Sequence, residues 1–281
     1  MKVAYLGPSG TFSEEAAKQY FKEDAEFYMY DTIPDVIEAV GENRVDKAIV
    51  PLENTIEGTI NMTIDSLLPF HQLYIEGEFT LPVSLHLLSN GQMNISEIKQ
   101  VWSISPILAQ CRKYIKKGSM KSLQYDSSAS AAATLKNSGR MDAAAIGSEA
   151  LAQKLNLKII DWNIQDNPDN ETRFIIISNS TNDESEPEKT MFVITPGQDQ
   201  PGVLSSILNV FTALSINLSW IESRPTARKL GVYRFFLEAN HFCSEVSMNK
   251  ATRILETLGY EVRILGRYNT SENNSLNQRN I

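Results

Sequence analysis

Short apolar runs alternate with helix-like patterns along the first part of the chain. Residues 3–6 form an apolar run that predicts a strand, and residues 13–21 place apolar side chains at helical spacing. A helical pattern over 33–42 precedes the buried run 47–51, a strand that we expect to stop at its proline, and another helical pattern covers 59–68. Such alternation predicts an α/β fold with parallel sheets covered on both faces.

Beyond this part of the chain the pattern changes toward a period of two. Residues 75–89 therefore predict one longer strand that carries the chain into a second lobe. The elements that follow are predicted as a strand at 101–103, a helix at 108–116, a serine-capped helix at 131–135, a strand at 143–146 and a helix at 148–155. The α/β alternation thus extends through the second lobe.

The clearest linker is the segment 179–189, which is polar, acidic and interrupted by a proline. The elements predicted beyond it are a strand at 191–195, a helix at 203–214, strands at 217–222 and 232–239, a helix at 245–258 and a strand at 261–265. This βαββαβ order is typical of a ferredoxin-like domain. The Asn- and Ser-rich end, residues 268–281, is predicted to be a flexible tail.

Charge and composition exclude several classes of protein. A formal charge of −8 and a pI near 5.1 argue against a nucleic-acid surface, because phosphate binding draws on clustered Lys and Arg. No stretch approaches the roughly 18 apolar residues of a membrane helix, and the N-terminal run is too short for a signal peptide. Cys111 and Cys243 are far apart, so we expect reduced thiols, no disulfide framework and a cytoplasmic location.

The residue spacing favours neither a metal site nor a nucleotide site. His71, His86 and His241 stand on separate segments without the spacing of metal ligands. Neither a P-loop nor the glycine fingerprint of a dinucleotide-binding turn occurs. We therefore expect no cofactor.

Three polar segments lie at the ends of predicted strands. The loop 7–13 is rich in glycine between a strand and a helix, so it is either an anion-binding nest or a tight turn in which Ser13 caps the helix. Residues 51–59 place a carboxylate, an amide and hydroxyls past a buried strand end, where they either bind a ligand or cap the next helix. Residues 170–174 bring Thr172 and Arg173 to the mouth of a strand as possible donors to an anion.

These segments, together with 201–204 and 222–225, occur in the order seen in bacterial monofunctional prephenate dehydratases, which the chain resembles from Gly7 to about Arg267. The resemblance implies a catalytic domain at 1–178, similar to periplasmic-binding-protein folds, with its active site between two α/β lobes. Lobe one would comprise about 1–76 and 161–178, and lobe two about 77–160. It also implies a C-terminal ACT domain at 190–267.

The function implied by the resemblance is the decarboxylating dehydration of prephenate to phenylpyruvate, water and carbon dioxide. Phenylalanine would regulate the enzyme by feedback, and the assembly would be a homodimer or homotetramer. Two alternatives stay open at this point. Arogenate dehydratase acts on a substrate with an amino group in place of the keto group, and a non-catalytic protein of this fold could merely sense an aromatic ligand.

The resemblance also assigns residues to three sites. It implies a catalytic group of Thr172, Asn54, Glu53, Ser103 and Gln110. It implies substrate contacts from Thr11, Phe12, Thr55, Arg173 and Phe174. It implies a phenylalanine site formed by Gly202, Val203, Leu204, Asn217, Leu218, Glu222, Ser223, Arg224 and Pro225.

Several of these roles carry a physical qualification. Thr172 has too high a pKa to be a free general acid, so we interpret it as a preorganised donor that can relay a proton. Glu53 is unfavourable beside a dianion, so it is expected to position Asn54 or backbone groups, or to be protonated. Arg173 either pairs with a substrate carboxylate, the alternative we favour, or braces the loop from outside the cleft.

One segment departs from the family pattern. The family usually has Ser-His-Pro-Gln before the Leu-Ala-Gln-Cys helix, whereas Ile104 to Ile107 stand here without a histidine or a glutamine. Ser103 and Gln110 keep their register on either side. We therefore expect this loop either to contact substrate less than usual or to pack differently.

Overall fold

The computed structural model describes residues 1–180, 187–198, 200–226, 231–240 and 245–272. Its strands are β1 (Lys2–Leu6), β2 (Glu26–Tyr30), β3 (Lys47–Asn54), β4 (Gly58–Thr59), β5 (Tyr74–Pro82), β6 (His86–Ser89), β7 (Gln100–Ser103), β8 (Lys121–Gln124), β9 (Ala143–Gly147), β10 (Lys158–Asp161), β11 (Glu171–Ser178), β12 (Lys189–Pro196), β13 (Leu218–Pro225), β14 (Tyr233–Asn240) and β15 (Tyr260–Glu272). Its helices are α1 (Phe12–Phe21), α2 (Ile33–Gly41), α3 (Asn61–Leu67), α4 (Ser105–Gln110), α5 (Arg112–Lys117), α6 (Ser128–Ser138), α7 (Glu149–Leu155), α8 (Val203–Ala213) and α9 (Glu245–Thr257).

The strands form two sheets. The larger sheet has the order β13-β14-β12-β15-β5-β11-β3-β1-β2, with β4 paired to β3, and the smaller has the order β10-β6-β9-β7-β8. The predicted fold class, two α/β lobes followed by a βαββαβ domain, is confirmed. The sheets are mixed rather than parallel. In lobe one β11 runs antiparallel to both of its neighbours, β3 and β5, and in the smaller sheet β6 runs antiparallel to β9 and β10.

The chain crosses between the lobes twice. β5 remains in the larger sheet as far as Pro82, and β6 begins in the smaller sheet only four residues later at His86. The run 75–89 is therefore two strands in different sheets, and the crossing lies at 83–85 rather than near residue 77. The amide of Val83 donates to the carbonyl oxygen of Asn170 at 2.8 Å, which joins the outgoing crossing to the returning one.

Two predicted boundaries are wrong for local reasons. β3 continues through Pro51 to Asn54, because its pairing with β1 ends at Ile49 and its ladder with β11 shifts register beside the proline. A missing N–H is tolerated at such an irregularity. The helix expected at 108–116 is two helices, α4 and α5, which meet at Cys111.

The C-terminal domain has the predicted ferredoxin-like sheet. Strands β15, β12, β14 and β13 lie side by side and are antiparallel throughout, with α8 and α9 packed against one face. The other face packs against lobe one: Met191, Phe236 and Tyr268 share a core with Ile64 and Leu67 of α3. The domain therefore shares a hydrophobic core with the catalytic part.

The ends of this domain differ from the sequence prediction. β15 continues to Glu272 and pairs in parallel with β5, so the tail predicted from residue 268 begins too early. Strand pairing overrides the loop-like composition there. Residues 181–186 of the predicted linker and 273–281 of the predicted tail lie outside the described residues, and Lys189 already belongs to β12. Among the helices that the structure describes, none is long and apolar enough to cross a membrane.

Candidate active site

Thr172 and Asn54 are brought side by side by the pairing of β11 with β3. Asn54 Nδ2 lies 2.9 Å from Thr172 Oγ1, and Asn54 Oδ1 accepts hydrogen bonds from the amides of Ile56 (3.0 Å) and Glu57 (3.3 Å). These amides fix the orientation of the carboxamide, so its NH2 group must face Thr172. The hydroxyl of Thr172 thus accepts from Asn54, and within the described chain it donates no hydrogen bond of its own.

Asn170 links this pair to lobe two. It is 1% exposed, and its Oδ1 accepts from Asn54 at 3.0 Å and from Thr55 Oγ1 at 3.2 Å. Its Nδ2 donates to Oε1 of Gln110, at the end of α4, at 3.0 Å. Asn170 therefore spans the two lobes through three side chains. It is absent from the residues assigned by resemblance, and the sequence signal for it was only its place at the head of the 170–174 motif.

Thr55 fastens the turn after β3 to the start of β11. Its Oγ1 accepts from the amide of Glu171 at 3.1 Å, and its own amide donates to the carbonyl of Glu171 at 3.0 Å. These bonds hold the backbone next to Thr172. Substrate contact by Thr55 stays a prediction.

The segment that departs from the family pattern packs into lobe two. Ser103 is fully buried at the end of β7 and donates to the carbonyl of Ile146 at 2.9 Å. Ile107 is buried in the same core, and Ile104 packs against it. The apolar side chains thus replace polar family residues by joining the core, which favours the second of the two alternatives for this loop, different packing.

Arg173 points away from Thr172, because successive side chains of a strand project to opposite faces. Its guanidinium lies 2.6 Å from Glu78 and 3.7 Å from Glu53, and it also contacts Glu238 of the C-terminal domain. These contacts favour bracing from outside the cleft over the substrate contact, and the role of Arg173 stays a prediction. Glu53 likewise faces Arg173 rather than positioning Asn54.

The glycine-rich loop after β1 already holds an anion of the chain itself. Ser9 Oγ donates to the Glu14 carboxylate at 2.7 Å, and the Gly10 amide donates to the same oxygen. Burial raises the pKa of Glu14, but hydrogen bonds to its carboxylate outweigh this and hold the pKa below its usual value. The nest is therefore not open to a substrate carboxylate at this amide. The helix cap is Thr11 rather than Ser13, and its hydroxyl donates to the Leu6 carbonyl at 3.3 Å.

Two aromatic residues assigned to substrate binding lie in the packing of the lobes. Phe12 packs against the core of lobe two and against the core formed by α1 and the larger sheet. Phe174 is 1% exposed and belongs to the second of these cores. Substrate contact by Phe12 and Phe174 stays a prediction.

A cavity of about 260 Å³ opens between the two lobes. It is lined on the side of lobe one by Pro8 and Ser9 and on the side of lobe two by Ser127, Ser130 and Lys154. Lys154 Nζ contacts Ser9 and lies 3.8 Å from Glu14. Ala129, Ala133, Leu151 and Leu155 also line it, so the cavity is mostly apolar and carries a cation, Lys154, from lobe two.

The residues assigned to phenylalanine binding lie on two segments of the C-terminal domain. Gly202 caps α8 with φ +87°, a conformation that favours glycine, and Val203 and Leu204 open that helix. Leu218, Glu222, Ser223 and Pro225 belong to β13, an edge strand, and Asn217 precedes it. Arg224 is already paired with Asp65 of α3, at 2.6 and 3.1 Å, so it would have to leave this ion pair to bind an effector.

Comparison with known proteins assigns the family. The family model for prephenate dehydratase matches residues 3–182. Prephenate dehydratase of Bacillus subtilis is 38% identical over 281 residues, covering 95% of this chain and 98% of the relative. The crystal structure of prephenate dehydratase from Staphylococcus aureus is 39% identical with a TM-score of 0.86, covering 96% and 100% of the two chains. That of Arthrobacter aurescens prephenate dehydratase in complex with L-Phe is 31% identical with the same TM-score, covering 96% and 90%. The chain belongs to the prephenate dehydratase family.

Proposed function

We propose that the chain is a prephenate dehydratase in which Thr172 donates a hydrogen bond to the leaving hydroxyl group. The observation that carries this proposal is the pairing of Thr172 with Asn54, which occupies one acceptor position of the hydroxyl and leaves its hydrogen to be donated. The family of the chain supplies the substrate. A cytoplasmic location belongs to the same proposal, because the two widely spaced cysteines suit reduced thiols.

The reaction requires that the substrate be held in position and that one proton be supplied to the leaving hydroxyl group. The bond from the ring to its carboxylate breaks, its electron pair completes the aromatic ring, and the ring hydroxyl leaves with a proton as water. Much of the driving force is therefore in the substrate. The protein has to align the breaking bonds and stabilise the departing hydroxide with a preorganised donor.

Thr172 fits that task as a donor and proton relay rather than as a free acid. An alcohol has far too high a pKa to be ionised near neutral pH, so it can give its proton only as it receives another. Asn54 holds the hydroxyl oxygen, and Asn170 holds Asn54 against the other lobe. The donor is therefore fixed before substrate arrives.

Phenylalanine regulation is the second part of the proposal. The relative from Arthrobacter aurescens was solved with L-Phe, and we infer that the start of α8 at Gly202 binds the carboxylate of this effector through free amides.

β13 pairs with β14 alone among the described residues, and Ile221 on it is 44% exposed. An open edge strand suits pairing with a second copy. We therefore propose a homodimer or homotetramer in which phenylalanine favours one arrangement.

A single assay tests the activity. Purified protein is incubated separately with prephenate and with arogenate, and phenylpyruvate and phenylalanine are measured with and without added phenylalanine. We expect turnover of prephenate and its inhibition by phenylalanine. If the protein prefers arogenate, arogenate is its substrate instead. If it turns over neither compound, a non-catalytic sensor of an aromatic ligand is the remaining alternative.

Two further measurements test the regulation. Light scattering during size exclusion gives the oligomeric state, where a monomer at all concentrations would remove the proposed interface. Gly202→Val places a side chain at the start of α8. If it left phenylalanine inhibition unchanged, the effector site would have to be elsewhere.

A further inference from the structure

A buried group of charged side chains lies where lobe one meets the C-terminal domain. We call it the junction cluster, and its members are Glu78 on β5, Arg173 on β11, Lys189 on β12, Glu238 on β14 and Tyr268 on β15. Two of these residues belong to lobe one and three to the C-terminal domain. The cluster is therefore a buried polar connection beside the apolar core that the two domains share.

The contacts of the cluster are mutual. Arg173 lies 2.6 Å from Glu78 and also contacts Glu238. Lys189 Nζ lies 2.9 Å from Glu78 and 3.4 Å from Glu238, so each carboxylate is shared by both cations. Glu238 further accepts from Tyr268 Oη at 2.7 Å and from Ser219 Oγ at 2.6 Å.

The charges of the cluster balance at a site with little water. Glu78 and Glu238 are 3% and 1% exposed, and they face two cations, Arg173 and Lys189. Burial is the main cause that raises the pKa of Tyr268, so its hydroxyl stays protonated and donates to Glu238. Buried ions tolerate the loss of one partner poorly, because the remaining charge is left uncompensated. The geometry of Arg173 is accordingly fixed jointly by Glu78 of its own lobe and by Glu238 of the C-terminal domain.

Arg173 is directly attached to the proposed catalytic residue. Thr172 precedes it on β11, and the ladder between β11 and β3 shifts register between Arg173 and Phe174. On the side of β3 the ladder is thus irregular just after Arg173, while on the side of β5 the strand stays in register at residues 172–174. The guanidinium of Arg173 adds side-chain contacts at this point, on the face opposite to Asn54.

We propose that Arg173 is a positioning residue and that Glu238 of the C-terminal domain holds it, so that this domain sets the place of Thr172 in the active site. This inference rests on the proposed function. It assigns no substrate contact to Arg173. It also gives the C-terminal domain a part in catalysis when no effector is bound.

The test is steady-state kinetics on prephenate with the full chain. Glu238→Gln removes one charge of the cluster and should lower kcat about tenfold while KM changes by less than about twofold, since a donor is misplaced but substrate contacts remain. Asp65→Asn is the matched control, because it breaks an ion pair between the domains that lies outside the junction cluster, the one with Arg224. We expect the control to keep kcat within about twofold of wild type.

Two additional variants separate positioning from binding and from unfolding. In Arg173→Met, adding Glu238→Gln should lower kcat by less than about twofold more, because both changes break the same connection. Tyr268→Phe removes a single hydroxyl without changing the packing volume, and serves if Glu238→Gln does not fold. It should lower kcat about threefold at constant KM, because it misplaces the same donor, Thr172, by less than Glu238→Gln does.

The outcomes are distinct. An unchanged kcat in Glu238→Gln or, if that variant does not fold, in Tyr268→Phe would overturn the inference, as would an equal loss in Asp65→Asn. A rise in KM with kcat preserved in Arg173→Met would make Arg173 a substrate contact instead. Absence of prephenate turnover in the wild-type protein would remove the proposed function itself, which the same experiment reports separately.

Discussion

At the scale of single residues, the orientation of one amide decides what Thr172 can do. Asn54 presents its NH2 group to Thr172 because backbone amides of the following turn occupy its oxygen. Had the carboxamide been reversed, it would have accepted the hydroxyl hydrogen and left Thr172 with only acceptor positions. The turn at residues 55–57 thus determines the donor character of a residue on a different strand.

Removing the Thr172 hydroxyl should therefore abolish most of the catalysis and little of the stability. We expect Thr172→Ala to lower the turnover of prephenate by at least about 100-fold, since one preorganised donor contributes this much in comparable sites. Thr172→Ser keeps the hydroxyl and should retain far more activity. Steady-state kinetics with a thermal unfolding control measures both, and an Ala variant near wild-type turnover would remove Thr172 from the mechanism.

Asn170 connects the active site to the second lobe. Replacing it should therefore lower both the free energy of unfolding and kcat. Asn170→Ala removes the hydrogen bonds that a buried carboxamide makes to Asn54, Thr55 and Gln110, which should cost about 1–3 kcal/mol of unfolding free energy. Chemical denaturation measures this, and kcat should fall as well. Asn137→Ala, at an exposed position of α6, is the control and should be nearly neutral. Equal stability of the two variants would contradict the bridging role.

At the scale of secondary structure, the periodicity of the sequence predicted where helices and strands occur better than it predicted which strands pair. The βαββαβ order and most elements of the lobes follow from apolar spacing, because burial of one face requires it. The pairing of β3 with β11 does not follow, since it joins residues 118 positions apart and contains an irregularity at Pro51. Sequence could name Asn54 and Thr172 through the family resemblance, but only this register places them at 2.9 Å.

The same limit explains the interpretation of Arg173. Its face is set by the alternation along β11, which was predictable, but its partner Glu238 comes from another domain. A guanidinium beside a catalytic residue suggests an anionic substrate as long as no internal carboxylates are known. The contacts between domains therefore favour one of the two roles that the local pattern leaves open.

The loop after β1 requires glycine at position 10 for two reasons, its backbone conformation and its close contact with the other lobe. Gly10 has φ +97°, and a Cβ there would lie 2.7 Å from a side-chain carbon of Leu151 on α7 in the other lobe. Gly10→Ala should thus strain the backbone and force the Leu151 side chain to shift. Gly139 has φ +63° with open space around it, so Gly139→Ala measures the backbone cost alone.

We expect Gly10→Ala to be less stable than Gly139→Ala by about 1–3 kcal/mol, the usual cost of overpacking, and to raise KM for prephenate. Denaturant titration and steady-state kinetics give the two quantities. Equal destabilisation by both substitutions would mean that the contact between this loop and α7 does not contribute to the free energy of unfolding.

At the scale of the whole molecule, the two domains are joined by a strand ladder as well as by a linker. β15 of the C-terminal domain pairs with β5, and β5 pairs with β11, which carries Thr172. The effector domain is therefore separated from the active site by one strand. A change in the position of β15 can reach Thr172 through backbone hydrogen bonds and through the junction cluster, provided that the effector binds one arrangement more tightly.

Gly266 is the residue that permits this close approach, and replacing it tests the junction directly. A Cβ on Gly266 would overlap the backbone carbonyl of Ile75 on β5, which cannot move aside as a side chain could. Gly266→Ala should therefore separate β15 from β5. We expect a loss of about 1–3 kcal/mol, a lower midpoint of thermal unfolding and weaker inhibition by phenylalanine. Gly91→Ala, where the nearest atom is the mobile end of Met141 at 3.4 Å, is the control. If Gly266→Ala kept both the thermal midpoint and full inhibition, the ladder between the domains could not be the route by which the effector acts.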